Sequence, residues 1–164
     1  MSILPQLLDA NRRYSESFDR SRLGHRPAMR LAVVACMDTR LNVEDMLGLR
    51  PGEAHVIRNA GGIVTDDVLR SLIVSHRVVG TQEFVVINHT QCGMMNFRDE
   101  DLQARLKEET GADAGGVRFH TFSDLEENVR AQVDRIKASP FLKDVASVRG
   151  LVYQVEDGRL RTVA

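Results

Sequence analysis

The chain has 164 residues, 43% of them hydrophobic and 27% charged, and its 22 Lys plus Arg against 23 Asp plus Glu leave a formal net charge of −1. One domain over residues 1–164 is expected, since a chain of this size buries a real core. The charge balance argues against a polybasic nucleic-acid or membrane binder, and no apolar run approaches the roughly 18–20 residues of a membrane span.

The opening residues turn polar too soon for a signal peptide, so a cytoplasmic location is expected. Leu4, Leu7, Leu8, Tyr14 and Phe18 recur at helical spacing, and residues 1–20 read as an amphipathic helix. Ser21–Arg30, with Gly24 and Pro27, reads as a loop. Leu31–Ala35 is a continuous apolar run, the pattern of a strand buried on both faces. Asn42 is placed to cap a short helix through Leu47, Arg50-Pro51-Gly52 is a turn, and Ala54–Arg58 is a second strand. Thr65 is placed to cap a helix that Gly80 stops, and Glu83–Asn88 is a third buried strand. Asp99–Thr110 reads as a charged helix ended by Gly111, and Val117–Phe122 as a fourth strand. Leu125, Val129, Val133 and Ile136 predict a helix that stops before Pro140. Gly150–Val155 and Arg159–Val163, joined by Asp157-Gly158, read as a terminal hairpin. Alternating strands and helices predict an α/β fold. Its central sheet is mostly parallel and flanked by helices, with the C-terminal hairpin adding antiparallel pairing at the edge.

The loops after the first three strands read CMDTR (Cys36 to Arg40), RNAGG (Arg58 to Gly62) and HTQCG (His89 to Gly93). Ligands bind outside the carboxyl ends of strands in open α/β sheets, so these loops are expected at one edge of one sheet. Cys36, His89 and Cys92 offer two sulfurs and one imidazole, a donor set that suits zinc. A structural zinc site normally has four such ligands, and three leave a position for water or a carboxylate. Two other readings stand beside this one. Cysteines often serve as small buried hydrophobes, and a Cys–His pair can act as a nucleophile. A redox role is weaker, since the chain has no C-x-x-C. Asp38 and Arg40 are either a surface ion pair or a carboxylate fixed by a guanidinium beside the metal. Gly61 and Gly62 allow close approach of a substrate or of backbone, and match no nucleotide-binding loop.

CMDTR, HVIRNAGG and HTQCG, in this order and spacing, together with the terminal GLVYQVEDGRLRTV, resemble the β-class carbonic anhydrases, in particular their short bacterial branch. Thr39 stands where the family usually has Ser and keeps the hydroxyl. The resemblance implies one zinc ion per chain on Cys36, His89 and Cys92. It assigns Asp38 and Arg40 as a dyad that orients zinc-bound hydroxide for attack on carbon dioxide, giving bicarbonate and a proton. Asp38 is a possible fourth ligand in a closed state. Gly61, Gly62 and Gly93 are expected around the substrate. The family also implies a homodimer or homotetramer, with the first helix packing on a partner subunit. Two alternatives remain: a carbonyl sulfide or carbon disulfide hydrolase using the same site, and a non-catalytic zinc-stabilised binding module. Intact Asp38 and Arg40 argue against the second.

Overall fold

The computed structural model describes residues 2–19, 21 and 23–164. Among the described residues, five strands form one sheet in the order β2-β1-β3-β4-β5. They are β1 Leu31–Cys36, β2 Ala54–Asn59, β3 Glu83–His89, β4 Ser147–Tyr153 and β5 Leu160–Thr162. The first four are parallel, and β5 runs antiparallel to β4 at the edge. Among the described residues there are five α-helices: α1 Leu4–Glu16, α2 Val43–Leu47, α3 Asp66–Arg77, α4 Asp99–Thr110 and α5 Leu125–Lys137. No helix among the described residues is long and apolar enough to cross a membrane.

Strand alternation sorts the core into two layers. Ala32, Val34, Phe84, Val86 and Val148 face one side, where Val68 and Leu72 of α3 and Val133 and Ile136 of α5 pack on them. Val33, Ala35 and Ile87 face the other side, against Val43 of α2. Burial on both faces is what makes Leu31–Cys36 read as an unbroken apolar run.

The caps follow the sequence. The Asn42 side chain accepts from the Asp45 N–H at the start of α2, and Gly48 ends that helix in the left-handed conformation. Thr65 accepts from the Val68 N–H at the start of α3, and Asp124 from the Glu127 N–H at the start of α5. α1 carries an exposed apolar stripe. It contributes no buried residue, and Leu4, Leu7, Leu8 and Tyr14 are all exposed. Its apolar stripe has no cover among the described residues.

One expectation needs correction. Residues 117–122 are not a strand, although their residue types favour one. The N–H groups of Phe119, His120 and Thr121 donate to the Asp99 carboxylate at 2.8, 3.3 and 3.0 Å, and His120 has φ 59°. Donors taken by a carboxylate and a left-handed residue leave no ladder to build. The C-terminal hairpin of β4 and β5 stands at the sheet edge as expected. β4 begins at Ser147 and pairs in parallel with β3 along its whole length, and β5 forms the edge.

Candidate metal centre

Cys36 ends β1 and His89 ends β3, two neighbouring parallel strands, so both side chains sit at the same sheet edge. The chain turns after His89 and brings Cys92 back beside them, at the start of the short turn Gly93–Met95. Cys36 Sγ, Cys92 Sγ and a ring nitrogen of His89 lie within 4.8 Å of one another, and all three residues are buried. Both cysteines are unbridged.

The His89 ring has a fixed tautomer. Its Nδ1–H donates to the Thr90 carbonyl at 2.8 Å, which leaves a lone pair on Nε2. Nε2 is buried and has no hydrogen-bond partner. The sulfurs share their charge unequally. The hydrogen bond from Cys92 pulls the Cys36 thiol far below its ordinary range, against the upward push of burial. The same contact, together with burial, pushes Cys92 up. Burial alone would lower the His89 pKa, but the Cys36 thiolate outweighs it and the net direction is upward. A divalent cation would take both sulfurs as thiolates and satisfy Nε2, so the donor set fits zinc.

Asp38 and Arg40 stand beside this cluster. Arg40 Nε and its backbone N–H both donate to Asp38 Oδ1 at 2.9 Å, and Nη2 donates to Oδ2 at 2.8 Å. These bonds hold the Asp38 carboxyl well below the usual carboxylate range. Asp38 Oδ2 lies 3.8 Å from His89 Nε2, so the carboxylate borders the cluster while bound to the guanidinium.

Three further residues complete the frame. Arg58 donates from Nε to the Cys36 carbonyl at 2.9 Å and from Nη2 to the Asp38 carbonyl at 2.7 Å, which fixes the backbone between them. Gln91, at φ 54°, accepts from Arg40 Nη2 on its main-chain oxygen at 3.0 Å. Its Nε2 donates to Glu156 at 2.9 Å, and the Thr90 hydroxyl donates to the same carboxylate at 2.7 Å. Arg58 and Gln91 lie inside the loops singled out from sequence, and their position was the available signal. Glu156 arrives from the distant β4–β5 turn, and no local pattern marks it.

A cavity of about 260 Å³ opens over the cluster, lined by Cys36, Met37, Asp38, Ala60, Gly61, Cys92, Gly93, Met94 and Phe97. Gly61 and Gly93 thus line this cavity. Gly62 is not among its lining residues. It lies behind the wall, where a Cβ would meet Asn88 Nδ2 at 2.8 Å and the Cys36 nitrogen at 3.0 Å.

Residues 31–160 match the family model described as carbonic anhydrase. The chain is 42% identical to β-carbonic anhydrase 1 of Mycobacterium tuberculosis (strain ATCC 25618 / H37Rv) over 163 residues, 99% of each protein. It is 36% identical to a carbon disulfide hydrolase of Acidithiobacillus thiooxidans over 152 residues, 80% of this chain and 76% of that protein. Among solved structures, the carbonic anhydrase of Streptococcus mutans superposes with a TM-score of 0.94 at 42% identity, covering 100% of this chain and 99% of that one. The parallel sheet with its edge loops defines an α/β enzyme fold, and the chain belongs to the β-class carbonic anhydrase family.

Proposed function

We propose that this protein catalyses the reversible hydration of carbon dioxide to bicarbonate and a proton. The zinc ion would be held by Cys36, His89 and Cys92, one per chain. The observation that carries the reading is the meeting of two sulfurs and an unpartnered imidazole nitrogen with a bidentate Asp38–Arg40 pair at one cavity. Bound zinc would supply a Lewis-acidic centre that brings the pKa of water toward neutrality.

The chain's own residues do the rest. Thr90 holds the His89 ring so that Nε2 faces inward. Asp38, kept ionised by Arg40, accepts a hydrogen bond from the attacking water and turns an oxygen lone pair toward carbon. The guanidinium fixes that carboxylate in both distance and plane. Met37, Ala60, Gly61, Met94 and Phe97 present a largely apolar wall suited to a small linear molecule without charge. Gly93 leaves room at the same opening. Bicarbonate leaves by the route that carbon dioxide entered, and the released proton passes to buffer.

Similarity to a carbon disulfide hydrolase over 80% of the chain keeps a second substrate class in view. Carbon disulfide and carbonyl sulfide are linear and apolar, as carbon dioxide is. Sequence identity is higher to a carbonic anhydrase, 42% over 99% of the chain, and this favours carbon dioxide. Stopped-flow rates on all three substrates, with zinc analysis of the same sample, test the assignment. Faster turnover of a sulfur substrate would overturn it.

We further assign a homodimer or homotetramer, in which the exposed apolar stripe of α1 is covered by a partner subunit. The two unbridged thiols suit a reducing compartment such as the cytoplasm.

A further inference from the structure

Behind the metal cluster, three side-chain amides form a directed chain. The Val64 N–H donates to Gln132 Oε1 at 2.8 Å. Gln132 Nε2 donates to Asn128 Oδ1 at 2.9 Å. Asn128 Nδ2 donates to Asn88 Oδ1 at 2.7 Å. Asn88 Nδ2 donates to the carbonyls of Gly61 and Gly62, at 2.9 and 3.3 Å. Asn88 and Gln132 are buried.

The chain leaves the loop at Val64 and returns to it at Gly61 and Gly62. Its polarity is set at one end, because a backbone N–H can only donate. Gln132 must therefore turn its oxygen to Val64 and its NH₂ to Asn128. Each following amide inherits its orientation from the one before, until Asn88 presents two donors to two loop carbonyls. The loop needs this hold. Gly61 and Gly62 have φ of 82° and 62°. A Cβ on Gly62 would lie 3.0 Å from the Cys36 nitrogen and 3.1 Å from the Ala35 carbonyl carbon, so the loop backbone is pressed against the strand end that bears Cys36.

We propose that Asn88, Asn128 and Gln132 are positioning residues. They clamp residues 61–64 against Cys36, and through that contact set how firmly the Cys36, His89 and Cys92 group retains a divalent metal. The proposal rests on the reading of those three residues as zinc ligands. None of the relay residues touches substrate or the reacting atoms.

Gln132→Glu tests it. A carboxylate has no NH₂ to offer Asn128, so the two oxygens would face each other. Asn128 relieves this by flipping its amide, Asn88 flips in turn, and an oxygen then faces the Gly61 and Gly62 carbonyls. A change on α5 is thus transmitted to the loop. The measurement is the rate at which zinc-loaded protein loses zinc to an excess of chelator, read by absorbance and without any turnover assay. Gln132→Glu should lose zinc about tenfold faster than wild type, the low end of what supporting hydrogen bonds contribute to metal sites. Val133→Ala, a cavity in the same helix outside the relay, controls for general loosening and should stay within about twofold of wild type. Asn128→Asp, at a half-buried position that tolerates charge better, should behave like Gln132→Glu and decides the matter if that variant does not fold. Wild-type zinc retention in a folded relay variant would overturn the proposal, and so would equal acceleration by Val133→Ala. Failure of the wild-type chain itself to take up zinc would overturn the ligand reading beneath it.

Discussion

Arg40 grips Asp38 through both carboxylate oxygens, at 2.9 Å from Nε and 2.8 Å from Nη2, while the same guanidinium donates to the Gln91 carbonyl. A flat fork with donors left over can serve both partners, and an ammonium group cannot. Arg40→Lys should therefore cut carbon dioxide hydration by about tenfold or more with zinc content unchanged. Turnover at the wild-type rate would show that the fork is dispensable.

On the proposed mechanism, Asp38→Ala removes the acceptor that would orient the attacking water. Turnover should fall by about a hundredfold or more, within the range attributed to a positioned acid–base group. Metal analysis of the same preparation should still find one zinc per chain. Full activity in this variant would refute the role assigned to Asp38.

Cys92→Ser replaces a soft thiolate donor by a hydroxyl that stays protonated at neutral pH. Zinc content of the purified protein should fall well below stoichiometric, with the fold retained by circular dichroism. Unchanged stoichiometry would count against ligation by Cys92.

Gly62 and Gly93 should respond differently to an added methyl group. At Gly62, with φ 62° and a Cβ at 2.8 Å from Asn88 Nδ2, alanine meets both backbone strain and a clash. Its cost should be about 2–4 kcal/mol in urea unfolding. Gly93 has no atom within 4 Å of the same position, so Gly93→Ala should fold as wild type and alter only the cavity opening.

Asp99 gives an acid-stability prediction. The Thr121 N–H leads the hydrogen bonds that bring its carboxyl down to about 2, with the Thr121 hydroxyl and the Phe119 and His120 N–H groups adding to it. The folded value lies below the unfolded one, so the contribution is complete above about pH 4 and is lost as pH falls toward 2. Asp99→Asn should be less stable than wild type at pH 7 by about 2 kcal/mol. The gap should narrow at low pH. A gap independent of pH would mean that the charge plays no part.

Much of this was legible from residue order, for physical reasons. Leu31–Cys36 is apolar at every position because both faces of its strand are buried. Parallel neighbours then place the ends of β1, β2 and β3 together, so three loops far apart in the chain converge. Residues 117–122 misled because strand propensity is a statement about side chains, whereas the backbone donors there are claimed by Asp99. The amide chain through Asn88, Asn128 and Gln132 was illegible for a related reason. Asn128 and Gln132 belong to the polar complement of an amphipathic helix until β3 is packed beside them.

The order of the strands also governs when a cation can be acquired during biosynthesis. Cys36 leaves the ribosome early, but His89 and Cys92 come into reach only after β3 has emerged and docked alongside β1. Until then a nascent chain offers a lone thiol. With the proposed ligands, loading would be a late event, and a filled site would certify that the centre of the sheet has closed correctly.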